Sequence, residues 1–207
     1  MTQAPFDRDF WEERWAQALR EHPDAVASRP PNALLVAEIE AQAPGRALDA
    51  GCGHGAETIR LAASGWRVTA VDFSATALAH ARSTADAVGA DIAARIVWVE
   101  GDLGTWEPPA LQFDLVSCLY VHVAGSVGEM VSRLGNGVAT GGTLLLVGHL
   151  PVDPATGEPT PAAGQRQVTV PDAVEALDSR DWNILTAEER PRAGGDGADA
   201  VVSALRR

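Results

Sequence analysis

The residues with the most chemistry in their spacing run Leu48-Asp49-Ala50-Gly51-Cys52-Gly53-His54-Gly55, with Asp72 and Asp102 downstream. Three glycines on alternate positions after a short apolar run let the backbone turn sharply and approach a ligand where a Cβ would obstruct it. The amides of a following helix point into the same space. Gly51, Gly53 and Ala56 also satisfy the G-x-G-x-x-A form of the dinucleotide fingerprint, so the loop by itself does not choose a ligand. Asp72 stands 21 residues after Gly51, the spacing at which a carboxylate accepts from ribose hydroxyls. Loop and acid together imply a ligand containing adenosine.

Two further acids bear on which adenosine ligand this is. A dinucleotide places a pyrophosphate at the helix N-terminus, and Asp49 would push against that negative charge. Beside the sulfonium and ammonium of S-adenosylmethionine the same carboxylate is favourable, by direct contact or through water. Asp102-Leu103 offers an acceptor for an adenine amino group and an apolar side chain for the ring, and Phe73 is placed to cover the ring's other side.

These residues need a parallel sheet to hold them. Short apolar β-prone runs alternate with helical patterns, the signature of βαβ units. Strands are predicted at Arg46–Ala50, Arg67–Val71, Ile96–Glu100, Phe113–Cys118, Thr143–Val147, Trp182–Ala187 and Ala198–Leu205. Helices are predicted at Phe10–Leu19, Ala33–Ala41, Ala56–Ser64, Ser74–Val88, Val127–Leu134 and Asp172–Leu177. Ser74 is the expected N-cap of the fourth of these and Gly89 its stop. The glycine-rich stretch up to Gly142 reads as a connection, Pro151–Gly164 as a surface loop and Arg190–Gly197 as an exposed loop.

Composition narrows the chemistry. The 207 residues are 46% apolar and 21% charged, with a formal charge of −12, which describes one soluble globular domain. All 16 basic side chains are arginine. The absence of lysine excludes Schiff-base and pyridoxal chemistry, phosphate-loop nucleotide hydrolysis, and the Tyr-x-x-x-Lys pair of one class of reductases. An acidic chain with a pI near 4.7 lacks the basic face that displaces counterions from nucleic acid. Cys52 and Cys118 form no C-x-x-C pair, so zinc sites and disulfide frameworks are unsupported and no metal is expected. The N-terminus lacks a secretion-signal layout and no apolar run is long enough to span a bilayer. Cytoplasmic residence without a membrane or nucleic-acid partner is the expectation; oligomeric state is left open.

The stretches LDAGCGHG, VDFS, GDL, FDLVSCLYVH and GGTLLLVGH, in this order and at this spacing, resemble the class I S-adenosylmethionine-dependent methyltransferases over Arg46–His149. FWEERW and SRPPNALL resemble the small bacterial tellurite-resistance and thiopurine-methyltransferase group. The resemblance implies a three-layer α/β/α Rossmann-like fold, with a seven-stranded, mostly parallel sheet whose last strand runs antiparallel. It implies one domain over 1–207: a helical lid at 1–43, a cofactor-binding core at 44–150, and a C-terminal loop, helix and last two strands at 151–207. Cofactor roles fall on Asp49, Gly51, Gly53, Asp72, Phe73, Asp102 and Leu103, with Cys52 and His54 inside the loop and Cys118 where the methionine portion passes. The expected reaction is in-line methyl transfer to sulfur, oxygen or nitrogen of a small molecule, with S-adenosylhomocysteine as product. An NAD-dependent reductase and a non-catalytic adenosine-cofactor-binding protein are the alternatives.

Methyl transfer needs alignment and desolvation first, and a base only where the acceptor is a phenol or a protonated amine. His122 and His149 follow or end predicted strands at the sheet edge where ligands gather, so they are the candidate bases or substrate contacts. Tyr120 orients a substrate or closes the pocket wall. Trp11 and Trp15, four apart, share a helix face and either cap the cleft or anchor the helix. Trp66, Trp98 and Trp182 read as packing, and Trp106 as packing or an adenine neighbour. Arg29 reads as a solvated loop residue or a grip on an anion, and Glu12-Glu13 as a solvated helix face.

Overall fold

Strands and helices alternate along the chain as α1 (Arg8–Glu21), α2 (Pro23–Ala27), α3 (Ala33–Glu40), β1 (Arg46–Ala50), α4 (Ala56–Ala63), β2 (Arg67–Asp72), α5 (Ala75–Val88), α6 (Ala90–Ala93), β3 (Ile96–Glu100), β4 (Phe113–Leu119), α7 (Val127–Asn136), β5 (Val138–His149), α8 (Val170–Ala176), β6 (Trp182–Pro191) and β7 (Ala198–Arg206). This is a computed structural model that describes residues 8–154, 156–160, 162–192 and 197–207. The seven strands follow the order β3-β2-β1-β4-β5-β7-β6. β1 with β2, β2 with β3, and β4 with β5 are parallel, whereas β7 runs antiparallel to both β5 and β6. The mostly parallel seven-stranded sheet with an antiparallel last strand is therefore present. The chain packs as two compact units, residues 1–106 and 107–207.

In the first unit β1 is buried beyond its first residue and β2 likewise except for half-buried Thr69, as parallel strands covered by helices must largely be. α4 packs on β1 and β2, α5 on β2 and β3, and α1 on α5. Trp66, Leu35, Leu48 and Leu61 are fully enclosed, so the packing role of Trp66 stands. Ser74 caps α5 by accepting from the Ala77 amide at 3.0 Å. Gly55, immediately before α4, has φ 86 and no room for a side chain: a Cβ there would lie 2.7 Å from the Ala81 Cβ and 3.2 Å from the Trp98 ring. The loop thus rests directly on α5 and β3.

In the second unit α7 buries Val127, Met130, Val131, Leu134 and Gly135, the i, i+3, i+4, i+7, i+8 stripe of a core-facing helix. Ser126 caps it by accepting from the Glu129 amide at 3.2 Å. Trp182 is buried, with its indole 3.2 Å from where a Gly135 Cβ would sit. Arg206 lies over that indole and donates to the Gly135 carbonyl at 2.6 Å, closing the end of the helix.

Two expectations change. The glycine-rich stretch before Gly142 belongs to β5, which starts at Val138. Opposite β4 the register shifts between Phe113, paired with Val138, and Leu115, paired with Thr143. The extra residues bulge, and Gly142 fits because a Cβ there would meet the carbonyls of Ala139 and Phe113 at 2.9 Å. β6 continues to Pro191 because β7 offers it a partner that far, so the expected loop from Arg190 is shorter, and residues 193–196 lie outside the described residues. The short helices α2 and α6 carry too few turns to show an apolar period.

Replacing Gly55 with alanine combines a left-handed backbone with overpacking. A stability loss of about 2–4 kcal/mol is expected by denaturant titration. A change within about 0.5 kcal/mol would contradict the close packing of loop on helix.

Candidate functional site

β1 opens into a loop whose glycines take left-handed φ values of 81 at Gly51, 50 at Gly53 and 86 at Gly55. The amides of Gly51 and Cys52 donate to the Val71 carbonyl at 2.8 and 3.0 Å, and the Gly55 amide to the Cys52 carbonyl at 2.9 Å. The turn is thereby tied to the end of β2, where Asp72 completes the tie. Its Oδ2 accepts from the Gly53 amide and its Oδ1 from the Ser74 amide, both at 2.9 Å. A carboxylate oxygen has two lone pairs, so each retains acceptor capacity. Burial pushes the Asp72 carboxyl up, the Ser74 and Gly53 amides pull it down, and nearby Glu12 pushes up again; it settles above the ordinary aspartate value.

Asp49 is buried and accepts from the Thr58 hydroxyl at 2.6 Å. Thr58, one turn into α4, orients that carboxylate, and no sequence motif points to it. Cys52 is buried, and burial beside Asp49 and Asp72 raises its thiol well above the usual range. It is an inert wall of the loop.

α1 reaches the same loop. A Cβ on Gly53 would lie 2.8 Å from the Trp15 ring, and that ring sits 5.7 Å from the His54 ring, tilted by 31°. Trp11 lies on the same helix, edge-on to Phe10. Glu12 is half-buried and not the solvated residue expected. It accepts from the Thr76 amide at 3.1 Å and from the Thr76 hydroxyl, at the N-terminus of α5 where negative charge is favoured. Burial pushes its carboxyl up, but the bonds from Ser74 and Thr76 outweigh this and hold it low. Arg8 pairs with Glu100 at the end of β3.

His54 is largely buried, and its Nε2 has no partner among the described residues. Burial first, then the positive charges of Arg29 and His80, lower its pKa to about 4. Arg29 itself is exposed.

Beyond β3, Asp102 is exposed and its Oδ1 accepts from the Gly104 amide at 2.8 Å. Leu103 is buried and Phe73 half-buried. Trp106 lies on Gly101, where a Cβ would meet its ring at 2.9 Å. The first unit thus brings Gly51, Gly53, His54, Trp15 and Asp72 together.

The second unit has its own polar cluster. His149 ends β5 opposite Asp199 on β7, and its Nδ1 lies 3.0 Å from Asp199 Oδ1. Tyr120 donates to Asp199 Oδ2 at 2.9 Å and stacks on the His149 ring at 4.1 Å. Arg192 Nε and Nη2 donate to Asp199 Oδ1 at 3.2 and 3.1 Å. Burial would raise the Asp199 carboxyl, but the bonds from His149, Arg192 and Tyr120 hold it below the ordinary value. His122 is half-buried in the loop after β4, and Cys118 is enclosed within β4. Asp199 and Arg192 carry no signal in the sequence, since only the β5–β7 register brings them to His149. Among the described residues no group of three or more His, Cys, Asp or Glu side chains is arranged to hold a metal.

Known proteins share this core. A family model described as a methyltransferase domain matches residues 47–142. An uncharacterized methyltransferase of Mycobacterium tuberculosis is 39% identical over 101 residues, 48% of this chain and 48% of that protein. The chain spans about half the length of the curated relatives it matches. Among solved structures, magnesium protoporphyrin IX methyltransferase of Synechocystis with bound S-adenosylhomocysteine has a TM-score of 0.70 at 18% identity, over 97% of each chain. The cyclase SpnF has a TM-score of 0.71 at 16% identity, over 94% of this chain and 96% of that one.

Residues 47–142 are thus similar to a methyltransferase domain, and the fold is the one seen in solved S-adenosylmethionine-dependent methyltransferases. A cyclase in the same fold shows that fold alone does not set the reaction.

A histidine that folds with a depressed pKa destabilises the fold once the unfolded chain takes up a proton. Stability should therefore fall between pH 6.5 and about 4, by on the order of 2 kcal/mol after allowance for partial solvent screening. Nuclear magnetic resonance should show His54 neutral at pH 5.5, and His54→Gln should flatten this part of the acid slope. A His54 that titrates near its ordinary value would contradict its burial.

Proposed function

We propose that this chain transfers a methyl group from S-adenosylmethionine to a sulfur, oxygen or nitrogen atom of a small molecule, leaving S-adenosylhomocysteine. The observation that carries this reading is the pair of bonds from the Gly53 and Ser74 amides to Asp72, which holds a ribose acceptor at the mouth of a glycine turn. The residues present suit the cofactor. The turn tolerates no side chain at Gly53, Asp72 keeps acceptor capacity for hydroxyls, and Asp49 supplies a buried negative charge.

When bound, the cofactor supplies a methyl group on a cationic sulfur, displaced in line by the acceptor atom. Gly51 and Gly53 let the backbone close on it, and Asp72 holds the ribose. Asp102, Phe73 and Leu103 receive the adenine. Asp49 balances positive charge, with Cys52 and His54 lining the methionine end; Cys118, fully enclosed within β4, packs in the sheet and presents no surface to a ligand, contrary to expectation. Trp11 and Trp15 on α1 form a lid that excludes water, which favours a reaction in which charge is lost. His149 and His122 take the acceptor's proton where it has one to lose. Residues 1–207 act as one methyltransferase domain.

The N-terminal FWEERW and SRPPNALL words favour a soft nucleophile of the kind handled by the tellurite-resistance and thiopurine-methyltransferase group. The fold neighbour acting on magnesium protoporphyrin IX supports a small-molecule acceptor. Two free, buried cysteines suit the cytoplasm, and among the described residues no helix is long and apolar enough to cross a membrane.

S-adenosylmethionine and S-adenosylhomocysteine should raise the melting temperature, and NAD should not. Stabilisation by NAD alone would overturn the assignment. By calorimetry, Asp72→Ala should weaken S-adenosylhomocysteine binding roughly 10- to 100-fold, the loss of charge-assisted hydrogen bonds; unchanged affinity would show that Asp72 holds no ribose. A mass-spectrometric search for methyl gain across thiols, phenols and amines identifies the acceptor.

A further inference from the structure

α1 crosses the carboxyl ends of three neighbouring strands, and it does so with one face. Arg8, Glu12 and Trp15, at i, i+4 and i+7, share a side of the helix. Arg8 pairs with Glu100, the last residue of β3. Glu12 accepts from the Thr76 amide at 3.1 Å and from the Thr76 hydroxyl, just beyond β2. Trp15 packs on Gly53, just beyond β1. The order of the three along α1 is the order of β3, β2 and β1 in the sheet. Arg8 and Glu100 are both exposed, and pairs of that kind hold little. Trp15 makes a contact without direction. Glu12 alone receives two donors, one of them an amide of the first turn of α5 that has no partner within its own helix. Asp72 serves the same helix end, where its Oδ1 accepts from the Ser74 amide and Ser74 Oγ in turn accepts from the Ala77 amide. Two carboxylates therefore share the N-terminus of α5, one from β2 and one from α1.

We propose that Glu12 is a positioning residue for the cofactor: it latches α1 to the N-terminus of α5, holds Trp15 on the glycine turn, and tightens when ribose hydroxyls bond to Asp72. This rests on the reading of Asp72 as the ribose acceptor and specifies how an occupied site holds its lid. Glu12 contributes to the upward push on the Asp72 carboxyl. Repulsion between like charges is mutual, so a full negative charge on Asp72 also loosens the hold of Glu12. Hydroxyls that donate to Asp72 draw part of that charge onto the ligand, and the repulsion falls. Bound cofactor and closed latch then favour each other equally, as linkage requires. Glu12 Oε2 is buried with no hydrogen-bond partner among the described residues, a cost carried only while α1 is down. No residue of α1 is fully buried either, so the latch can release. With Trp15 over the turn the way out of the site is covered, and loss of the latch shows as faster release of the ligand.

Hydrogen exchange read by mass spectrometry and stopped-flow dissociation of S-adenosylhomocysteine test this together. In the unsubstituted protein S-adenosylhomocysteine should slow exchange across α1. Glu12→Ala should speed exchange of α1 in the free protein and raise the dissociation rate roughly 10-fold, the size of an ordinary coupling between sites. Exchange in β1 and β2 should stay as it is in the unsubstituted protein. Glu12→Gln keeps an oxygen for the Thr76 donors and should restore most of both effects. Thr76→Val removes the hydroxyl bond alone and should give a smaller change in the same direction; should Glu12→Ala fail to fold, this variant decides by the same two readouts. Unaltered α1 exchange with unaltered dissociation would overturn the proposal. Faster exchange spread over β1 and β2 would overturn it as well, since Glu12 would then stabilise the fold at large. Failure of the unsubstituted protein to bind S-adenosylhomocysteine sinks the cofactor reading, whereas binding with unaltered release from Glu12→Ala sinks the latch alone.

Discussion

The site depends on one carboxylate. Asp72 sits at the end of a buried parallel strand, yet each of its oxygens is bonded to a backbone amide, one from the glycine turn and one from the cap of α5. Burying an aspartate without partners would cost several kcal/mol; the two amides offset part of that cost, burial still outweighing them, and they tie the loop, the second strand and the next helix together. The same group that organises the turn is thereby left with the acceptor capacity a nucleoside needs. Gly53 is indispensable because its amide must reach Asp72 from a left-handed backbone with the Trp15 ring packed against its Cα.

α1 joins this arrangement through polar as well as apolar contacts. Trp15 covers Gly53, while Glu12 satisfies amide and hydroxyl donors at the N-terminus of α5. A helix fastened by a carboxylate to a helix end is held less firmly than one buried in the core, and none of its residues is fully buried. The lid role proposed for α1 draws on these contacts, which set the helix against the glycine turn without burying it.

Most of the architecture was legible because it rests on local pattern. The central strands are short apolar runs bounded by glycine and aspartate, and their bounds fall where the alternation places them. Ser74 announces itself as a cap by residue type alone. The glycine turn and Asp72 are separated by one βα unit, so their spacing in sequence fixes their meeting in space. The β5 bulge was not legible, since glycines read as a connection until a neighbouring strand supplies hydrogen-bond partners on both sides of them. Nor was the Tyr120–Asp199–His149–Arg192 cluster, because Asp199 lies 50 residues beyond His149 and only an antiparallel register joins them. Glu12 looked solvated for the same reason: its partner, Thr76, is 64 residues away.

The central claim is that the glycine turn and Asp72 jointly hold the nucleoside of S-adenosylmethionine. A crystal structure of this protein grown with S-adenosylhomocysteine tests it most directly. The account predicts the ribose hydroxyls on the Asp72 carboxylate and the amino-acid end over Gly51 and Gly53. A ligand bound elsewhere on the chain, or one that leaves Asp72 bonded only to its two loop amides, would contradict it.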